Sequence, residues 1–136
     1  MKKLAIFDLD GTLLNTIKDL GEAVNYALDR NGFHTHSIAS YPFFVGNGVK
    51  RLIERALPED ERKKSTVVKK MLADFKEYYN EHNTVLTKPY DGIPELLQEL
   101  QAQGVQLAVA SNKYQQATDK IINHFFPDID FVAVQR

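Results

Sequence analysis

The 136-residue sequence predicts an α/β fold in which a parallel sheet carries a helical insertion just after its first strand. Three observations predict it. An apolar run, Leu4-Ala5-Ile6-Phe7, lies near the start of the sequence; residues 16 to 82 read as a mainly helical block; and strand-like and helix-like patterns alternate from residue 87 onward. Composition agrees, since 43% hydrophobic and 26% charged residues suit a folded core, either one compact domain or a small domain bearing an insertion. The boundaries expected are residues 1–14 and 87–136 for the sheet domain and 15–86 for the insertion.

Leu4 to Phe7 is continuous, as expected of a strand buried on both faces. Thr16 and Asp19 have capping-box spacing, and Ile17, Leu20, Val24, Ala27 and Leu28 form a helical stripe that stops at Asn31-Gly32. A polar and aromatic stretch from Phe33 to Phe44 leads to Gly46-Asn47-Gly48. A second helix follows through Val49, Leu52, Ile53 and Ala56, ending before Pro58. Val67, Val68, Met71, Leu72, Phe75, Tyr78 and Tyr79 mark a third. Lys88-Pro89-Tyr90-Asp91-Gly92 is turn-rich. Pro94 then suits a first helical turn, Leu96, Leu97 and Leu100 give its stripe, and Gly104 ends it. Val105 to Ala110 reads as a strand, Ala117, Ile121, Ile122 and Phe125 as a helical face, and Phe131 to Val134 as a third strand.

Seventeen basic against eighteen acidic side chains, a net charge of -1, argue against a broad nucleic-acid or anionic-membrane surface. The run behind Met1-Lys2-Lys3 is stopped by Asp8, far short of a signal-peptide core or a membrane span. The expectation is a soluble cytoplasmic protein. With no cysteine, disulfides, thiolate metal sites and a cysteine nucleophile are excluded, which leaves carboxylates, hydroxyls, amines and histidine for chemistry.

Two polar sequences fall at the carboxyl ends of predicted parallel strands, where open α/β sheets bind ligands: Asp8-Leu9-Asp10-Gly11-Thr12 and Ser111-Asn112-Lys113. Asp8 can act as a covalent nucleophile, because a carboxylate needs no deprotonation at neutral pH and forms an acyl phosphate that water can cleave. Asp10 can serve as acid and base. A hard cation such as Mg2+ relieves the repulsion of two close carboxylates and neutralises phosphate charge. Gly11 permits a tight turn with N–H groups facing a ligand. The Thr12 and Ser111 hydroxyls can orient phosphate oxygens, N–H groups at the start of the next helix complete a cradle, and Lys113 adds positive charge.

Asp8-Leu9-Asp10-Gly11-Thr12-Leu13 behind an apolar strand resembles the first motif of the haloacid dehalogenase superfamily, and Ser111-Asn112-Lys113 resembles the second. Gly46-Asn47-Gly48 with Glu54-Arg55-Ala56-Leu57 is similar to the cap helices of its phosphoglycolate phosphatase branch. The resemblance implies a Rossmann-like parallel sheet with an inserted helical cap and a Mg2+-dependent phosphomonoester hydrolase acting on a small phosphorylated metabolite. It assigns Asp8 as nucleophile and metal ligand, and Asp10 as general acid/base whose backbone carbonyl also ligates the metal. Thr12 and Ser111 become phosphate-orienting hydroxyls, and Asn112 and Lys113 substrate-lining positions. Superfamily dehalogenases lack the second aspartate, so Asp10 favours phosphoryl chemistry. The family's third motif, a lysine, and fourth, an acidic pair, have no counterparts after Ser111. The expectation is therefore a truncated or degenerate form with an incomplete sheet, impaired metal binding and catalysis, and Leu4 to Phe7 at an exposed edge. A sugar phosphomutase of the same superfamily and a non-catalytic binding module are the alternatives.

The remaining features have plainer readings. His34 and His36 lack a third metal ligand at recognisable spacing and belong to a polar loop. Phe43, Phe44, Tyr78 and Tyr79 are read as packing within the insertion, Lys50 and Arg51 equally as a substrate grip or a solvated helix face, and residues 59 to 64 as a solvated connection.

Overall fold

The computed structural model describes residues 3–46, 48–111 and 113–135. In chain order the elements are β1 (Leu4–Asp8), β2 (Leu14–Asn15), α1 (Ile17–Arg30), a 3-10 helix (Ile38–Phe43), α2 (Val49–Ala56), α3 (Ser65–His82), β3 (Lys88–Pro89), α4 (Ile93–Ala102), β4 (Gln106–Ala110), α5 (Gln115–Phe125) and β5 (Phe131–Gln135). The chain divides into two compact units, Met1–Thr16 with Thr87–Arg136, and Ile17–Leu86.

In the first unit, β1, β4 and β5 form a parallel sheet in the order β1-β4-β5. Parallel neighbours require crossover connections, and α5 supplies the one between β4 and β5. Leu107 and Val109 of β4, Leu97 of α4, and Ala117, Ile121 and Ile122 of α5 are all buried, and α4 packs on β4. Between Leu107 and Ala108 the pairing to β5 slips by one residue, a bulge on β5 at Val132. Gln101 secures the approach to β5: its Nε2 donates to the Asp128 carbonyl at 3.2 Å and its Oε1 accepts the Asp130 N–H at 2.7 Å.

β1 takes the exposed edge position expected of an incomplete sheet, and is not buried on both faces as its continuous apolar run suggested. Among the described residues it pairs with β4 alone, and its exposure alternates, with Leu4 54% and Ile6 64% accessible. A continuous apolar run therefore lies on an edge strand, since no further strand flanks it among the described residues, and the face that carries Leu4 and Ile6 is exposed. A second difference is the two-residue antiparallel ladder of β2 and β3, which pairs Leu14 with Pro89 and Asn15 with Lys88. It lies where the sequence suggested only a turn.

The second unit is helical. Leu20, Val24, Ala27 and Leu28 of α1 meet Met71, Phe75 and Tyr79 of α3, and Leu52, Ile53 and Ala56 of α2 join the same interior. Gly21 of α1 gives the 3-10 helix its seat: a Cβ there would stand 2.8 Å from Ile38 Cδ1 and 2.9 Å from Tyr41 Cδ2. Asp74, buried on α3, accepts from Lys70 Nζ at 2.6 Å and from Asn31 Nδ2 at 2.9 Å. That ties the end of α1 to α3.

The Asp19 carboxylate accepts the Leu86 N–H with both oxygens, at 2.9 and 3.0 Å, and so fastens the returning chain to the start of α1. His36 is structural, with Nε2 at 2.7 Å from the Ala56 carbonyl and its own N–H donating to Asn25 Oδ1 at 3.0 Å. Tyr79 is fully buried, whereas Phe43 is 84% exposed, against the expectation of packing.

Candidate active site

Hydrogen bonding turns the chain sharply after β1. The Leu9 carbonyl accepts the N–H groups of Thr12, Leu13 and Leu14 at 3.4, 3.1 and 3.1 Å, and the Gly11 N–H donates to the Leu14 carbonyl at 2.9 Å. Leu9, Leu13 and Leu14 are wholly buried, so apolar side chains pin the loop while Asp8, Gly11 and Thr12 stay exposed. Gly11 has φ 82°, and a Cβ there would meet nothing within 4 Å. Its glycine serves the left-handed backbone and not a close approach.

Asp8 ends β1, and its Oδ1 accepts the Leu9 N–H at 2.9 Å. The register pairs Asp8 with Ala110, so Asp8 and Ser111 leave the sheet side by side at its carboxyl end. Asp10, half-buried, is held on one oxygen: its Oδ1 accepts the Thr16 hydroxyl at 2.6 Å and lies 3.3 Å from Lys113 Nζ.

The second loop is equally constrained. Ser111 is buried, and its Oγ accepts the Lys113 N–H at 3.1 Å. The Lys113 carbonyl accepts the Thr118 hydroxyl at 3.3 Å. Because α5 begins at Gln115 with Tyr114 in the N-cap position, Ser111 precedes the helix by a full turn and does not cap it. Asn112, expected to line the substrate side, lies outside the described residues, as does Asn47 of the Gly46-Asn47-Gly48 sequence.

The structure thus brings Asp8, Asp10, Ser111 and Lys113 to one end of the sheet, with Thr12 on the exposed loop beside them. Lys113 was expected to face a substrate; its side chain is 2% accessible and directed to Asp10. Two residues escaped the sequence reading. Thr16 has the spacing of a helix cap and also bonds Asp10, and Thr118 is an ordinary helical threonine until the fold sets it near the Lys113 carbonyl.

A family model for haloacid dehalogenase-like hydrolases matches residues 5–134. The chain belongs to this family. It is 35% identical over 118 residues to a phosphoglycolate phosphatase of Thiobacillus denitrificans, covering 85% of this chain and 52% of that protein. To a phosphoglycolate phosphatase of Aquifex aeolicus it is 34% identical over 121 residues, covering 89% of this chain and 54% of the relative. The chain therefore spans about half the length of these curated relatives. A crystal structure from Lactobacillus delbrueckii subsp. bulgaricus, provisionally named a phosphoglycolate phosphatase, superposes with a TM-score of 0.88 at 34% identity. That match covers 100% of this chain and 66% of the other.

Asp8 and Asp10 offer oxygen donors of the kind a hard divalent cation takes. No group of three His, Cys, Asp or Glu side chains that could hold a metal occurs among the described residues. Two carboxylates suit a hard cation such as Mg2+, which is bound through one or two carboxylates together with water and phosphate. Asp10 Oδ1, already occupied by Thr16 and Lys113, leaves the Asp8 carboxylate as the principal side-chain donor. Among the described residues no helix is long and apolar enough to cross a membrane.

Proposed function

We propose that this chain carries the nucleophile and acid/base of a Mg2+-dependent phosphomonoester hydrolase that acts on a small phosphorylated metabolite of phosphoglycolate type. The observation that carries the reading is the register of Asp8 with Ala110. It sets a strand-end carboxylate beside the Ser111 loop, with Asp10 two residues on. Both curated relatives above are phosphoglycolate phosphatases, which supports the substrate class.

In the proposed reaction an Asp8 carboxylate oxygen attacks phosphorus, and the bond to the ester oxygen breaks. The carboxyl of Asp10 gives its proton to the departing alkoxide. Water then attacks the aspartyl-phosphate while the Asp10 carboxylate takes its proton, which releases inorganic phosphate and restores Asp8. Thr12 and Ser111 orient the phosphoryl oxygens. Bound Mg2+ supplies charge neutralisation at the phosphate, held by Asp8 and by Asp10.

The test has two arms. Mg2+-dependent phosphate release from phosphoglycolate and from an aryl phosphate is expected to vanish in Asp8→Asn. Beryllofluoride, which mimics phosphate on a carboxylate, is expected to give bound 19F resonances in the parent chain with Mg2+ and none in Asp8→Asn. Undiminished hydrolysis in Asp8→Asn, or bound resonances that survive the substitution, removes Asp8 as nucleophile.

A further inference from the structure

The structure assigns Lys113 as a positioning residue for Asp10 and not as a contact for substrate. This rests on the proposed acid/base role of Asp10 and goes beyond it by naming what fixes that group. The Lys113 side chain is 2% accessible, whereas that of its partner Asp10 is 33% accessible, with Nζ 3.3 Å from Oδ1. An ammonium buried to that degree does not meet a ligand arriving from solvent. Its favourable arrangement is against a carboxylate already in the protein, because an uncompensated buried charge is strongly destabilising.

The lysine is also built into place from both sides. Its N–H is bound to Ser111 Oγ at 3.1 Å, and its carbonyl shares the Thr118 hydroxyl, at 3.3 Å, with the Tyr114 carbonyl at 3.1 Å. Those bonds fix the backbone from which the side chain departs. Asp10, by contrast, sits on a loop, and its carboxylate is restrained at Oδ1, by Lys113 and by the Thr16 hydroxyl at 2.6 Å. Two donors on one carboxyl oxygen select a single side-chain rotamer and turn the other oxygen, Oδ2, to the remaining side. Lys113 thereby determines which oxygen of Asp10 is presented for proton transfer, and the charge of the substrate is left to other groups.

The experiment uses the full chain and Lys113→Met, which keeps an unbranched side chain of similar length without the charge. Three-bond couplings to the Asp10 carboxyl carbon are expected to report one rotamer in the parent and averaged rotamers in Lys113→Met. Kinetically, kcat is expected to fall about tenfold to a hundredfold, as for a misplaced catalytic group, with KM changed less than about threefold because uniform binding is untouched. The chain has no cysteine, so Lys113→Cys can be alkylated uniquely with 2-bromoethylamine in denaturant and refolded. The restored ammonium is expected to recover the single rotamer and the rate.

A single Asp10 rotamer in Lys113→Met overturns the assignment, as does a KM that rises with kcat preserved, the signature of a substrate grip. The rotamer measurement needs no turnover, so it decides the matter even if the phosphatase reading fails. Failure of that reading would show separately, as absence of beryllofluoride capture by the parent chain.

Discussion

Replacing Asp74 tests the junction between α1 and α3. Its side chain is 6% accessible, and three donors converge on it: Lys70 Nζ at 2.6 Å, Asn31 Nδ2 at 2.9 Å and Arg30 Nε at 3.5 Å. A buried hydrogen bond to a charged acceptor contributes about 1.5–3 kcal/mol, which is the Asn31 share. The Lys70 head is half in water, so an i,i+4 pair of this kind adds only about 0.5 kcal/mol. Asn31 retains the Ala27 carbonyl at 2.7 Å as an acceptor in the variant, which offsets part of the loss. Asp74→Ala is therefore expected to cost about 2–3 kcal/mol, and Lys70→Ala no more than about 0.5 kcal/mol.

The same residue gives a pH signature. Burial pushes the Asp74 carboxyl up, but the hydrogen bonds from Lys70 and Asn31 and the charges of Lys70 and Arg30 outweigh it and hold the group below its ordinary value. A depressed folded-state value means the stabilisation is complete above the unfolded carboxyl value of about 3.9. It is lost as pH falls through the folded value. Urea unfolding followed by far-ultraviolet circular dichroism, for the parent and Asp74→Asn, is expected to show a gap at neutral pH that closes in acid. An Asp74→Ala variant within about 0.5 kcal/mol of the parent, or a neutral-pH gap that persists in acid, would refute the reasoning.

Two further outcomes concern the same helical unit. Gly21→Ala gains about 1 kcal/mol of helix propensity, but its methyl collides with Ile38 and the buried ring of Tyr41. Overpacking of about 1–3 kcal/mol is expected to prevail and lower the thermal midpoint by a few degrees, read by a thermal melt. Burial, reinforced by the negative charge of Glu22, holds the Tyr41 phenol well above its ordinary value. In an alkaline phenolate titration Tyr41 is expected to stay neutral until unfolding. Because the raised value belongs to the folded state, this stabilisation is complete below about pH 10 and declines as pH rises toward the folded value.

Much of this molecule is legible in its sequence, for reasons that also explain what is not. The long helices α1 and α3 bury one stripe each, so the spacing of Leu20, Val24 and Leu28 or of Met71, Phe75 and Tyr79 reports them directly. Asp8 and Ser111 were legible because each closes an apolar run, and parallel pairing brings such ends together. The ladder of β2 and β3 was not, since two residues per strand carry no period. The 3-10 helix contains Pro42, which reads as a breaker. Thr16 and Asp19 have the local spacing of a capping box, but that spacing does not announce the further partners of their side chains, Asp10 and the Leu86 N–H. The burial of Lys113 depends on the turn from Ser111 to Thr118, a geometry that no residue pattern encodes.

The small ladder of β2 and β3 bears on how the chain folds. Pairing β1 with β4 brings together residues about a hundred positions apart, and an open loop of that length carries a substantial closure entropy. The ladder joins Asn15 to Lys88 at the two points where the helical unit leaves and re-enters its host. Once those strands meet, the intervening residues no longer count as open loop, and β1 sees β4 across a short span. The helical unit rests on mainly local contacts, which form quickly. Four residues of ladder thus convert a long-range search into two nested shorter ones, the kinetic reason a small sheet can tolerate an insertion of its own size.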